Sequence, residues 1–200
     1  SPDPATLLAS KKRILAALTM AELSHAISVC VHAAFYLGND PRKAYDNVRR
    51  AVSSILKHKE RFFPHVNLAV ETMGKPTQFG TLEEGLGISR EFGLYPCLDP
   101  AHLHARTNGK INSKEEWHAM FDLYEEYLGK ESLEKMHLHF SAIAYGEKGE
   151  KKHLPLEESD AAWEDFLVVL KEREIGGVLV CESPMQEVDT LLLQKTFATL

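Results

Sequence analysis

The sequence predicts an α/β fold in which buried strands alternate with amphipathic helices, and three observations carry that prediction. Five short apolar runs, at 27–33 (ISVCVHA), 66–72 (VNLAVET), 94–99 (LYPCLD), 136–140 (MHLHF) and 177–183 (GVLVCES), are nearly continuous in apolar character. Parallel strands covered on both faces read this way. The stretches between them space their apolar residues as helices do. Each run also ends on or near a side chain that can hold a metal ion: His32, Glu71, Asp99, His137 and Glu182. Where strands alternate with helices in a barrel, chemistry gathers at the C-terminal ends of the strands.

The helices are legible from their ends. Asp3-Pro4 opens the first with a capping residue and a first-turn proline, and Leu7, Leu8, Ile14, Leu15 and Leu18 carry its stripe to about residue 25. Asp40-Pro41 repeats the device before Ala44, Val48, Ala51, Val52 and Ile55. Thr81 with Glu84 is a capping box leading to Phe92, and Gly93 is its stop. Ser113 with Glu116 is another, opening a helix through Trp117, Met120, Phe121 and Tyr124. Residues 159–174 give a further amphipathic helix closed by Gly176-Gly177, and 185–200 a last one. Five strand-helix units result. Five do not close a barrel, which needs eight, so the pattern fits either an open doubly wound sheet or a barrel whose start is absent. The abrupt opening on a helix cap favours the second.

Composition narrows the function classes. Two hundred residues at 44% hydrophobic content suffice for one core and predict a single domain over 1–200. A net charge of −6 does not advertise a nucleic-acid binder, although bound divalent cations would offset clustered acidic ligands. Cys30, Cys97 and Cys181 lie in strand candidates without paired spacing, which predicts reduced thiols and a cytoplasmic setting. No run approaches the ~20 apolar residues of a membrane span. Phosphate loops, nucleophile elbows and C-x-x-C pairs are absent from the sequence.

Asp99-Pro100-Ala101-His102 sets a carboxylate and an imidazole three residues apart just past a strand, which suits zinc or manganese. Its plain alternative is an aspartate capping the next helix with an exposed histidine. Glu71 and Glu182 end apolar strands, where a buried carboxylate is costly unless paired or metal-bound. His137 and His139 are two apart and share one face of a strand, so one can ligate while the other orients a neighbour. His32 is a weaker strand-end candidate. His153 reads as a loop residue able to reach back over the site, and His104 stays unassigned.

Taken together, these motifs resemble the endonuclease IV family of apurinic/apyrimidinic endonucleases. The resemblance lies in Val70-Glu71-Thr72-Met73-Gly74 with Gln78-Phe79-Gly80, Cys97-Leu98-Asp99-Pro100-Ala101-His102, Met136-His137-Leu138-His139, His153-Leu154-Pro155-Leu156 and Val180-Cys181-Glu182-Ser183. It implies a (β/α)8 TIM barrel of the xylose isomerase-like type, here with about five βα units and its first strands lacking. It also implies two or three zinc ions, with manganese as the other choice, and hydrolysis of double-stranded DNA on the 5′ side of abasic sites. On that pattern Glu71 and Glu182 are catalytic, and His32, Glu71, Asp99, His102, His137, His153 and Glu182 are metal ligands. This chain departs from the pattern at Lys151, where the family has an aspartate that Glu147 or Glu150 would replace, and at His139-Phe140 in place of Asn-Asp-like residues. Two rivals stand beside it. One is a one-metal sugar isomerase or epimerase of the related superfamily, served by Glu71, Asp99, His137 and Glu182. The other is a non-catalytic homologue. An incomplete barrel is expected to self-associate through open edges.

Overall fold

A computed structural model describes all 200 residues, Ser1–Leu200. The chain divides into two compact units, residues 1–71 with 77–96, and residues 72–76 with 97–200.

The first unit contains α1 (Pro4–Leu23), β1 (Ser28–Val31), β2 (Ala34–Phe35), α2 (Pro41–Phe62), β3 (Asn67–Val70), β4 (Gln78–Phe79) and α3 (Leu82–Phe92). Its helices begin where their caps predict. The Asp3 carboxylate accepts the Thr6 amide at 2.7 Å, and the Asp40 carboxylate accepts that of Arg42 at 2.8 Å. Thr81 and Glu84 close a reciprocal capping box, which satisfies two amides that the first turn would leave unpaired. Gly93 ends α3 at φ 64°, a left-handed conformation that costs glycine little. β1 and β3 pair in parallel, with Val31 beside Val70, while β2 and β4 form a short antiparallel pair. Leu18 of α1, Val48, Val52 and Ile55 of α2, and Ile88 of α3 bury one stripe each against Leu68, Val70 and Phe79.

The second unit contains β5 (Cys97–Leu98), α4 (Pro100–Arg106), α5 (Lys114–Leu128), β6 (Met136–Phe140), β7 (Ala142–Gly146), β8 (Gly149–Leu154), α6 (Trp163–Glu172), β9 (Gly177–Cys181) and α7 (Glu187–Thr199). β5, β6 and β9 form a parallel sheet with β6 in the middle, and β7–β8 is an antiparallel hairpin. Phe166 of α6 has no exposed surface. It stacks on Phe140 of β6 with centroids 4.8 Å apart and meets the edge of Trp117 of α5 at 5.4 Å. Aromatic burial of this kind joins two helices to the sheet.

The short β2–β4 pair, the β7–β8 hairpin and helix α4 go beyond the sequence expectations, and α6 starts later than expected. The β7–β8 hairpin replaces the expected loop around His153, because GEKKHL is polar and half exposed and lacks the alternation that marks a strand. Helix α4 is only seven residues long, too short to show a period. α6 starts at Trp163 rather than 159, because residues 156–158 form a separate tight turn and the Asp160 side chain is taken by Tyr145 and His104. No helix is long and apolar enough to cross a membrane.

Phe166→Ala is expected to destabilise the second unit by about 3–5 kcal/mol, the usual loss for emptying a buried aromatic site. Urea unfolding followed by tryptophan emission checks this, since Trp117 lies against Phe166.

Candidate metal centre

Strand register decides which side chains can meet at the sheet end of the second unit. Cys97 pairs with His137 and Leu98 with Leu138, so one further step places Asp99 beside His139. The Glu182 amide donates to the Phe140 carbonyl at 3.0 Å, which fixes Glu182 two residues beyond Val180, the β9 partner of His139, and on the same strand face. Asp99, His139 and Glu182 accordingly offer ligand atoms within 4.8 Å of one another. His137 lies two residues earlier on β6 and is not in this group. Its Nε2 is 3.1 Å from Nε2 of His139. The His139 Nδ1 atom faces Glu182 Oε1 at 3.2 Å. With Nδ1 given to a cation, Nε2–H of His139 donates to His137, which then orients the ligand. The sequence carried this signal: Glu71, Asp99 and Glu182 each directly follow a strand, and His139, not His137, stands near the end of β6.

Asp99 shows why a cation fits here. Both readings of the D-x-x-H motif hold at once: Asp99 caps α4, its Oδ1 accepting the His102 amide at 2.9 Å, while His102 is buried. Asp99 has 0% exposure, and its Oδ2 has no hydrogen-bond partner. His102 Nδ1 lies 3.3 Å from that oxygen, but its proton goes to the Thr72 carbonyl at 2.9 Å. A buried carboxylate oxygen left without a donor is costly, and a divalent ion among two carboxylates and an imidazole offsets that cost.

A second group lies in the same unit. His102, Glu150 and His153 bring ligand atoms within 4.8 Å of one another. Their tautomers follow from their partners. Nδ1 of His102 faces the Thr72 carbonyl and Nδ1 of His153 faces the Glu182 carbonyl, each at 2.9 Å. A carbonyl only accepts, so both Nδ1 atoms carry the proton and both Nε2 lone pairs are left for a cation. His153 Nδ1 is also 4.0 Å from Glu182 Oε2, which links the two groups.

Glu150 and His153 are three apart, a spacing that points side chains to opposite faces of a regular strand. The register shows how they meet. Ala144 pairs with Lys152 and Tyr145 with Glu150, so Lys151 is the extra residue of a bulge. A bulge shifts the alternation by one, which turns Lys151 away and brings Glu150 round.

In the first unit, extending the β1–β3 register by one step sets His32 beside Glu71, and their Nε2 and Oε2 atoms are 2.9 Å apart. Glu71 is buried and also accepts from Cys30 Sγ at 3.0 Å, whereas the His32 side chain is 62% exposed.

Close to the second group, Asp160 accepts from the Tyr145 hydroxyl and lies 3.2 Å from Nε2 of buried His104. The hydrogen bond to Asp160, aided by burial and by the charge of Asp160, raises the Tyr145 pKa to about 12. For Asp160, burial acts to raise the pKa, but the bonds from Tyr145 and His104 with the nearby His104 charge outweigh it, and the net shift is downward.

Comparison with known proteins agrees on the fold. The family described as "Xylose isomerase-like TIM barrel" matches residues 1–196. An uncharacterized protein of Methanocaldococcus jannaschii is 38% identical over 169 residues, covering 84% of this chain and 62% of that protein. Among solved structures, a D-tagatose 3-epimerase-like protein is similar with a TM-score of 0.61 at 20% identity, over 92% of this chain and 65% of that one. A D-allulose 3-epimerase from Methylomonas sp., in complex with D-allulose, gives a TM-score of 0.63 at 17% identity, over 97% of this chain and 64% of that one. The chain thus spans less than two thirds of the length of these relatives.

Two outcomes follow from the geometry. Asp99→Asn keeps a good helix cap and removes the buried charge, so the metal-free variant is expected to melt no lower than wild type while losing the rise in Tm that zinc or manganese gives. Calorimetry with and without metal checks this. Tyr145 has a folded pKa above its unfolded value of about 10. Its contribution is therefore complete below about pH 10 and lost as pH passes through about 12. Denaturation at pH 9 and pH 12 is expected to show a steeper loss for wild type than for Tyr145→Phe.

Proposed function

The chain belongs to the xylose isomerase-like TIM barrel family, and on that premise we propose that it carries the ligand set of a divalent-metal enzyme that moves a proton on a sugar-like substrate. The observation that carries this reading is the group Asp99, His139 and Glu182, with its unsatisfied buried oxygen on Asp99. Three protein donors leave coordination positions for substrate oxygens. The two solved relatives, described as a 3-epimerase and a 3-epimerase-like protein, favour the same substrate class.

The residues divide the work by exposure. Asp99, fully buried, is a fixed negative charge. His139 is held between Glu182 and His137, so its ring cannot turn without breaking one contact. The Glu182 side chain is 31% exposed, and it is the carboxylate that a substrate reaches. In this reading it accepts the proton from the carbon beside a carbonyl. A bound divalent ion supplies Lewis acidity toward a substrate oxygen. Within the first unit, Glu71 and His32 are proposed as metal ligands from their strand-end positions and mutual contact, and Glu71 as a catalytic carboxylate.

A second reading, hydrolysis of DNA at abasic sites, is favoured by His102, Glu150 and His153. A further imidazole-rich group next to Glu182 is what a two-ion phosphodiesterase uses to hold attacking and leaving oxygens, and a one-ion isomerase has less need of it. Zinc and manganese are the ions the mixed oxygen and nitrogen donors suit under either reading.

The experiment incubates zinc- or manganese-loaded protein with a ketose panel in D2O and, separately, with an abasic duplex. Deuterium entering the carbon beside the carbonyl, with the duplex uncut, is expected. Glu182→Gln is expected to lower that exchange by about 10²–10⁴-fold. Duplex cleavage without exchange would reverse the ranking of the two readings.

A further inference from the structure

We infer that Asp160 is a positioning residue that fastens the β7–β8 hairpin to α4 and thereby sets the spacing of His102, Glu150 and His153. The inference rests on that second group taking a cation, whichever substrate the enzyme acts on.

Two of the three donors, Glu150 and His153, are on β8, and the third, His102, is on α4. Nothing covalent holds hairpin and helix at ligand distance; the fastening has to come from contacts beside the group. On the hairpin, Tyr145 is the cross-strand partner of Glu150, directly at the bulge. On the helix, His104 stands two residues beyond His102. The two rings meet edge to face with centroids 4.9 Å apart. Asp160 joins them from above, with one carboxylate oxygen accepting from the Tyr145 hydroxyl and the other 3.2 Å from His104 Nε2.

Asp160 is itself held in place. Asn112 donates to the Asp160 carbonyl at 2.7 Å and accepts the Ala162 amide at 2.8 Å, so the loop cannot drift while those bonds last. The Asp160 side chain is 55% exposed. Replacing a side chain that is more than half in water empties no core site. Its removal is therefore expected to leave the core standing and loosen only the hairpin, which makes the inference testable without unfolding the protein. Outer partners of metal ligands typically change metal affinity by about 10–100-fold when removed, and Asp160 acts one contact further out than such partners, through Tyr145 and His104.

The test is a titration of the intact metal-free chain with cobalt(II), read by visible absorption from imidazole ligation, together with zinc stoichiometry after dialysis. The ion that Glu150→Gln loses marks the second group. Asp160→Ala is expected to weaken that ion by about 10-fold or more and to alter its absorption band, with the other ion nearly unchanged and the melting temperature lowered only by what the Tyr145 and His104 contacts contribute. Asp160→Asn, which still accepts from Tyr145, is expected to fall between the two. Wild-type affinity for the second-group ion in Asp160→Ala overturns the inference, and so does equal weakening of every ion together with a large fall in Tm. A wild-type chain from which Glu150→Gln removes no ion overturns the second group as an ion site and the inference with it.

Discussion

Asp99 is a carboxylate without exposed surface, and one of its oxygens meets no donor. Folding has removed that charge from water and supplied only half of its compensation. The rest of the second unit is arranged around it. Its other oxygen caps α4, its backbone is clasped by Thr72, whose hydroxyl accepts the Asp99 amide at 2.8 Å, and parallel register puts His139 at its side. Moving any of these would leave a buried anion with less support than it has, which is strongly unfavourable.

How much of this is legible in the sequence depends on the range over which each signal acts. Helix ends are local, and the caps at Asp3, Asp40, Thr81 and Ser113 give α1, α2, α3 and α5 nearly to the residue. The five parallel strands stand out because they are nearly all apolar, although only β3, β5 and β6 are largely buried while Val178 and Val180 of β9 are exposed. Register is not local. Which of His137 and His139 meets Asp99 depends on how β5 aligns with β6, a relation between residues some forty positions apart. Two-residue strands such as β5 carry too little pattern to fix it. Position relative to the strand end is the one local clue, and it selects His139.

The hairpin is a harder case. β8 is polar, carries a bulge and has a lysine where the resemblance leads one to expect an acidic ligand. Read as a string, Lys151 is a defect in the metal site. Read as a ladder, it is the residue that the bulge sets aside, and Glu150 occupies the ligand face in its place. The same bulge sets Tyr145 opposite Glu150, so the ligand and its brace arise from one irregularity in pairing. Bulges lack a single-sequence signature, and only the three-dimensional pairing shows the substitution.

The central claim is that side chains of this chain converge on a divalent ion through oxygen and imidazole nitrogen. X-ray absorption of the zinc-loaded protein tests it most directly. The account predicts nitrogen and oxygen scatterers at about 2.0–2.2 Å, with the outer-shell pattern of imidazole that diminishes in His139→Ala. A sulfur shell at about 2.3 Å, or an oxygen-only shell that ignores His139→Ala, would contradict it.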